Sequence, residues 1–336
     1  MRVTRCLLPF MLAAGLAGCS VFDSDPLGDA RAAFETQDYM AARDLAAAVL
    51  EADASDAPAL ELMARIHLAM GQGADAIAAL DRLEVAGDAP GDTDLLRAEA
   101  LLQTGETSDA LALIEDDQAA EAWRLRALAA RQANDIPAAA RAFARGRNAE
   151  GDKTRLYPAE ASFHLDTADL AAAGEAVALA NDVAPDRVET LFVTARLAQA
   201  QGDQVLALAK YLRIIEKTPL DRPALLGAIA ASEHTGQPGI TRHLIAYGAE
   251  TRPFDSEFIY QTARVDAWDG NWEAVRERMQ AHEAELENHG SARLLYAEAL
   301  LNLGQVETAR AMASPVLARR RDAEAERLRQ ALEAAS

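Results

Sequence analysis

His282, Glu283 and His289 come nearest to a metal site in this 336-residue chain. A separation of seven residues places the two histidines two turns apart on one side of a predicted helix. The hydrolase pattern His-Glu-x-x-His needs its second histidine at 286, where the chain has Leu286. No paired Cys-x-x-Cys, phosphate-cradling glycine loop or nucleophile elbow occurs either. With 53 aspartates and glutamates in the chain, no single carboxylate pair is distinctive. No catalytic residue, metal ligand or cofactor is assigned, and no small-molecule substrate is expected.

The elements that would position such chemistry follow one spacing. Turn positions recur at Gln37, Gly71, Gly105, Asn134, Ala168, Gly202, Gly236, Gly270 and Gly304. Every interval is 34 residues except the 29 between Gly105 and Asn134. Seven residues before each turn stand Ala30, Ala64, Ala98, Ala127, Ala161, Ala195, Ile229, Ala263 and Ala297. Five residues after it stand Ala42, Ala76, Ala110, Ala139, Ala173, Ala207, Thr241, Val275 and Ala309. A period of this length predicts a repeat solenoid of paired helices. Segments such as Ala76-Ile77-x2-Leu80-x2-Leu83 give each helix an apolar stripe that only stacked neighbours can bury. The small residues mark where paired helices approach closely. His67, His164 and His234 fall on first helices; His67 and His164 share one register position and read as packing residues.

The register resembles the tetratricopeptide repeat (TPR). Its pattern is carried by Trp123, Ala127, Asn134-Asp135 and Ala139-x3-Phe143, and again by Leu191, Ala195, Gly202-Asp203, Ala207-x3-Tyr211 and Pro219. Pro185, Pro219 and Pro253 repeat the late helix stop at 34-residue intervals. Thr241 and Ile229 depart from the small-residue rule, and the first repeat has Gln37 where a turn glycine is usual. The resemblance implies an all-α fold, a right-handed superhelix of about nine helix-turn-helix repeats followed by a capping helix.

It further implies that the first helices line an inner face. The position six before each turn, which points into that face in the family, holds Arg31, Arg65, Glu99, Leu128, Ser162, Arg196, Ala230, Arg264 and Glu298. Arg65, Arg196 and Arg264, with Arg124 and Arg131 nearby, are candidates to hold carbonyls, acidic side chains or a terminal carboxylate of an extended partner. The alternative is that each pairs with an acid on the neighbouring helix. Phe192, Tyr260 and Trp268 are candidate apolar anchors, although Phe192 and Tyr260 also suit helix packing.

The N-terminus carries a second pattern. Arg2 and Arg5 precede the apolar run Leu7 to Leu16, which closes on Leu16-Ala17-Gly18-Cys19. The run is too short to span a bilayer and reads as a secretory signal. Its end resembles the bacterial lipobox, which implies acylation of Cys19, and Ser20 after it implies transport to the outer membrane. Several acyl chains anchor stably where one does not. Loss of residues 1–18 leaves 31 basic against 53 acidic residues, a formal charge of −22. Such a surface repels nucleic acid and anionic lipid. Cys6 departs with the signal, so Cys19 is the one remaining cysteine and stability must come from stacking.

The expected organisation is a signal at 1–18, a lipidated Cys19 with a polar tether to 29, a solenoid at 30–318 and a capping helix at 319–336. The 29-residue interval predicts a shortened second helix at Ala110 to Asp116, followed directly by Ala119 to Arg131. Ala86 to Asp92 is the most turn-rich interior loop. Arg319 to Ala335 places Ala325, Leu328 and Leu332 on one side, as a cap requires. The chain thus resembles a TPR lipoprotein of the bacterial cell envelope, facing the periplasm. The expected function is a non-enzymatic scaffold or adaptor for a protein or extended-peptide partner, assisting assembly of a pilus, secretion or outer-membrane machine. The alternative is an accessory subunit that delivers substrates to a periplasmic hydrolase or protease, or to a polysaccharide export system.

Overall fold

The computed structural model describes residues 25–87 and 90–335, which form twenty helices and no strand. The signal segment and Cys19 lie outside the described residues. Two compact units are present, one up to Thr93 and the other from Asp94 onward. The first contains the hairpins α1 (Pro26–Glu35) with α2 (Tyr39–Ala52) and α3 (Ala57–Ala69) with α4 (Gly73–Ala86). In the second, α5 (Thr93–Thr104), whose first residue is the last of the preceding unit, leads into α6 (Thr107–Leu113). The pairs α7 (Ala120–Gln132) with α8 (Ile136–Asn148), α9 (Leu156–Asp166) with α10 (Leu170–Val183) and α11 (Val188–Ala200) with α12 (Gln204–Lys217) follow. Next come α13 (Arg222–His234) with α14 (Pro238–Thr251), and α15 (Ser256–Trp268) with α16 (Trp272–Ala281) and the short α17 (Glu283–Leu286). The chain finishes with α18 (Gly290–Asn302), α19 (Val306–Leu317) and α20 (Ala323–Ala334). This is the all-helical, TPR-type repeat architecture.

Each hairpin turns by one device. All nine turn residues read from the spacing have positive φ, from 57° at Asn134 to 91° at Gly105. The residue after each returns its N–H to the carbonyl five residues back at 2.8–3.0 Å, as in Asp38 to Ala33 and Asp203 to Ala198. That bond closes a Schellman motif and satisfies carbonyls the helix end leaves open. Asp38, Asp135, Asp169, Asp203 and Asn271 then cap the second helices, accepting a backbone N–H at 2.9–3.3 Å. Part of the acidic excess is thus committed to helix starts.

Ala168 holds φ 59° without being glycine. The left-handed region costs an L-residue about 1–2 kcal/mol. Ala168→Gly is therefore expected to raise stability by about 1 kcal/mol. Ala178→Gly, on the exposed side of α10, should cost about as much. Urea unfolding of the two variants gives midpoints displaced in opposite directions; a downward shift for Ala168→Gly would contradict the assigned turn.

The alanines that mark the repeat are the core. Eight of the nine residues seven before the turns are alanines with no exposed surface, and Ile229 is 2% exposed. Thr241, the polar departure, is buried and exchanges a 2.7 Å hydrogen bond with Ser232, so its hydroxyl is satisfied. In the shortened repeat, Ala98, Leu102, Ala110, Ile114 and Leu125 bury one another.

Four boundaries differ from the sequence expectation. The tether is already helical from Pro26, because Asp25 caps Gly28 at 2.9 Å and proline suits the first turn. The shortened helix lies three residues earlier, over Thr107–Leu113, starting straight after the Gly105 turn. The cap begins at Ala323 rather than Arg319, where Asp322 accepts from Ala325 at 3.1 Å. Finally, His282 and His289 do not share a helix. His282 occupies the break between α16 and α17, while His289 caps α18.

Candidate functional site

Arg124 lies on α7 facing Glu99 of α5, and its side chain is 5% exposed. It meets Glu99 at 3.1 Å and Glu121, one turn back on its own helix, at 2.6 Å. Arg155, just before α9, reaches the same two acids at 2.7 and 2.9 Å. Two guanidiniums and two carboxylates therefore neutralise one another. Burial by itself would push the Glu99 carboxyl up; Arg124 and Arg155 overcome that and hold it at about 2. Arg124 carries no spare charge for a ligand, and its guanidinium is held firmly protonated by the same pair.

Beside this cluster the balance changes. Arg131 of α7 and Arg196 of α11 bind opposite oxygens of one carboxylate, Asp166 at the end of α9, at 2.7 and 2.8 Å. Arg196 also donates to the Ser162 hydroxyl at 3.2 Å. Two cations sharing one anion leave a local excess of one positive charge. Both guanidiniums remain near one-third exposed, within reach of an incoming acceptor. Arg131 borders a hollow of about 380 Å³, walled by Pro158, Val188, Phe192 and Pro223, with Arg124 and Arg155 and the acids Glu189 and Asp221 also at its edge. Phe192 is half-buried, edge-on to Tyr211 with ring centres 6.0 Å apart, so it both packs on the core and faces the hollow. Burial pushes the Tyr211 hydroxyl up to about 12, and it donates to Gln199 at 2.7 Å.

The remaining sequence candidates lie elsewhere. Tyr260, Arg264 and Trp268 follow one another at four-residue steps on α15. Arg264 pairs with Glu233 at 3.0 Å, and its guanidinium lies 5.1 Å from the Trp268 ring centre. Tyr260 packs on His289 with ring centres 4.7 Å apart, while Trp268 is 46% exposed. Arg65 belongs to the first unit and pairs with Glu61 at 2.9 Å and Asp92 at 2.7 Å. His289 accepts the Ala292 N–H on Nδ1 and faces Glu257 through Nε2, both at 3.1 Å. A ring nitrogen used as a helix cap is not offered to a metal. Among the described residues no group of three or more His, Cys, Asp or Glu could hold a metal ion. Nor is any described helix long and apolar enough to cross a membrane.

The structure thus places Arg131 and Phe192 at one hollow, joins Arg196 to Arg131 through Asp166, and gathers Tyr260, Arg264 and Trp268 at another hollow, while Arg65 belongs to the first unit. Sequence reasoning missed Arg155 and Asp166, the residues that decide which arginines are spent. Asp166 stands two before its turn, a position that the 34-residue register makes adjacent to arginines three and six before theirs.

No protein-family model and no curated protein matches this sequence. Solved structures do resemble it. A chain of the APC/C hetero-tetramer Cut9–Hcn1 superposes with a TM-score of 0.61 at 14% identity, over 82% of this chain and 55% of that one. The P58(IPK) TPR domain gives 0.32 at 15% identity, over 92% and 96% of the two chains. Human IFIT1, solved as a dimer with m7Gppp-AAAA, gives 0.42 at 12% identity, over 88% and 72%. The match to the Cut9–Hcn1 chain spans about half of that chain's length. At such identities the likeness is one of fold, and it agrees with the helix-hairpin repeats seen here.

Proposed function

We propose that this protein is a non-enzymatic scaffold or adaptor that holds an extended segment of a protein partner along its first helices. The observation that carries this reading is the shared carboxylate of Asp166. Arg131 and Arg196 together exceed it by one charge, and Arg131 borders a hollow that takes an apolar side chain against Phe192. An acidic side chain or terminal carboxylate of the partner completes the charge balance, and an apolar neighbour fills the hollow. Helix-hairpin repeats suit the task, because stacked first helices present a continuous surface to an extended chain.

In-cell crosslinking of wild type and of the double variant Arg131→Glu, Arg196→Glu tests this. The wild type captures a protein partner, with capture weakening as salt rises. The double variant loses it at unchanged helical content; because it sets three acids at Asp166 its melting temperature falls somewhat, and the neutral pair Arg131→Gln, Arg196→Gln, which also loses capture, separates binding from that strain. Undiminished capture by the double variant would show that the partner uses another surface.

The same reading places the protein in a bacterial envelope, tethered through an acylated Cys19 and facing the periplasm, where it assists assembly of a pilus, secretion or outer-membrane machine. Its support is the sequence from Arg2 to Cys19 alone. Cys19→Ala is expected to move the protein out of the membrane fraction or leave an uncut precursor. Mature-sized Cys19→Ala protein retained in the outer membrane at wild-type level would sink the anchor.

A further inference from the structure

Two of the three tryptophans in the chain, Trp268 and Trp272, line one hollow of about 510 Å³ with Tyr260. That size falls in the roughly 300–1,000 Å³ of small-molecule sites. Helix α20 forms one wall through Arg327 and Leu328, and α18 another through Leu294, Leu295 and Glu298. The three leucines are buried and make an apolar floor.

Charge in this hollow is balanced, unlike that beside Asp166. Arg264 and Arg327 stand against Glu298 and Glu324. Arg264 is committed to Glu233, and Glu324 is committed to Arg320 at 2.9 Å and Ser291 at 3.3 Å. Among the described residues, the Glu298 carboxylate and the Arg327 guanidinium form no ion pair or hydrogen bond, and neither indole N–H has an acceptor. Burial raises the Glu298 carboxyl above its usual range; Arg327 opposes this and Glu324 adds to it. An acceptor, a guanidinium and two indole rings thus line, with no hydrogen bond among the described residues, a site of no net charge.

A balanced site gives an ion no advantage, so the ligand it suits is neutral. That ligand must present donors and acceptors together, densely, and also apolar surface for the rings. A peptide backbone offers one N–H per residue, spaced about 3.3 Å apart. A sugar ring offers several hydroxyls, each both donor and acceptor, around an apolar C–H face. We propose that the hollow between α15, α18 and α20 binds a neutral saccharide chain. Its hydroxyls donate to Glu298 and accept from Arg327 and the indole N–H groups, and its C–H face rests on the part of the Trp268 ring that remains exposed. Arg264 and Arg242, 5.1 and 5.9 Å from the Trp268 ring centre, hold that ring in position. The site is separate from Arg131 and Arg196, so the peptide reading and this one stand or fall independently.

The full chain carrying Trp123→Phe reports on this hollow by tryptophan fluorescence, because only Trp268 and Trp272 remain. Neutral hexasaccharides of β-1,4-glucose, α-1,4-glucose and β-1,4-N-acetylglucosamine are titrated in turn, then an acidic and a basic hexapeptide, with calorimetry as the second readout. At least one produces a saturable change. Trp268→Ala (read by calorimetry) and Glu298→Ala each weaken it by about tenfold or more at unchanged melting temperature. Glu298→Gln, which keeps an acceptor but loses the charge, retains most of the binding. Absence of binding by all three sugars overturns the proposal. So does binding that survives Trp268→Ala and Glu298→Ala, or a response to acidic or basic peptides alone, which would make this a peptide site.

Discussion

Glu99→Ala is expected to lower the unfolding free energy by about 3–5 kcal/mol, the cost of leaving a buried charge without its partner. Arg124 is the charge left behind: 5% exposed, it keeps only Glu121, which Arg155 also claims. Removing both members of the pair costs less than removing one. Glu99→Leu with Arg124→Leu leaves the 2.9 Å Arg155–Glu121 pair intact and exchanges buried charge for apolar contact. The double variant should therefore be more stable than Glu99→Ala, and a double variant no more stable than Glu99→Ala would mean the cluster is not coupled. Acid reports the same cluster. The Glu99 carboxyl titrates at about 2 in the fold against an ordinary 4.5. A depressed folded value means its stabilisation is complete above pH 4.5 and disappears as pH falls toward 2. Wild type and Glu99→Gln should thus converge in stability on acidification, as measured by urea melts across that range.

Ala195→Leu should cost about 1–3 kcal/mol through overpacking. Ala195 has no exposed surface and shares a buried cluster with Leu191 and Ala198 of α11 and Ala207 and Tyr211 of α12. Three added carbons have no space there unless the two helices separate. Glu216→Gln, at a side chain 63% exposed and paired only with Arg213 within the same helix, should change stability by less than about 0.5 kcal/mol. Urea midpoints at constant slope separate the two. Equal midpoints for Ala195→Leu and wild type would refute the register in which the small residues face the partner helix.

The residues themselves determined the repeat. A left-handed turn, a bond to the carbonyl five residues back and an aspartate cap are all made within a few positions of chain, so glycine, asparagine and aspartate at fixed intervals announce them. The buried alanines were equally legible, because close helix approach admits little else and the interval repeats it. Charge was not legible in this way. Arg196 and Arg264 share one register position, six before their turns, and Arg124 and Arg131 stand ten and three before theirs, yet the sequence marks none of the four as neutralised or free. Their partners come from other helices as well as their own: Glu99 lies 25 residues from Arg124, Asp166 lies 35 from Arg131, and Glu233 lies 31 from Arg264. Which guanidinium is neutralised and which is left in excess depends on how long side chains meet across stacked helices. That is decided by the packing of α5, α7, α9 and α11. The separation of His282 from His289 by a helix break, and the placing of Glu298 and Arg327 in one hollow of aromatic rings, were likewise decided by tertiary structure. Local backbone chemistry repeats with the sequence, whereas electrostatic satisfaction belongs to the assembled helices.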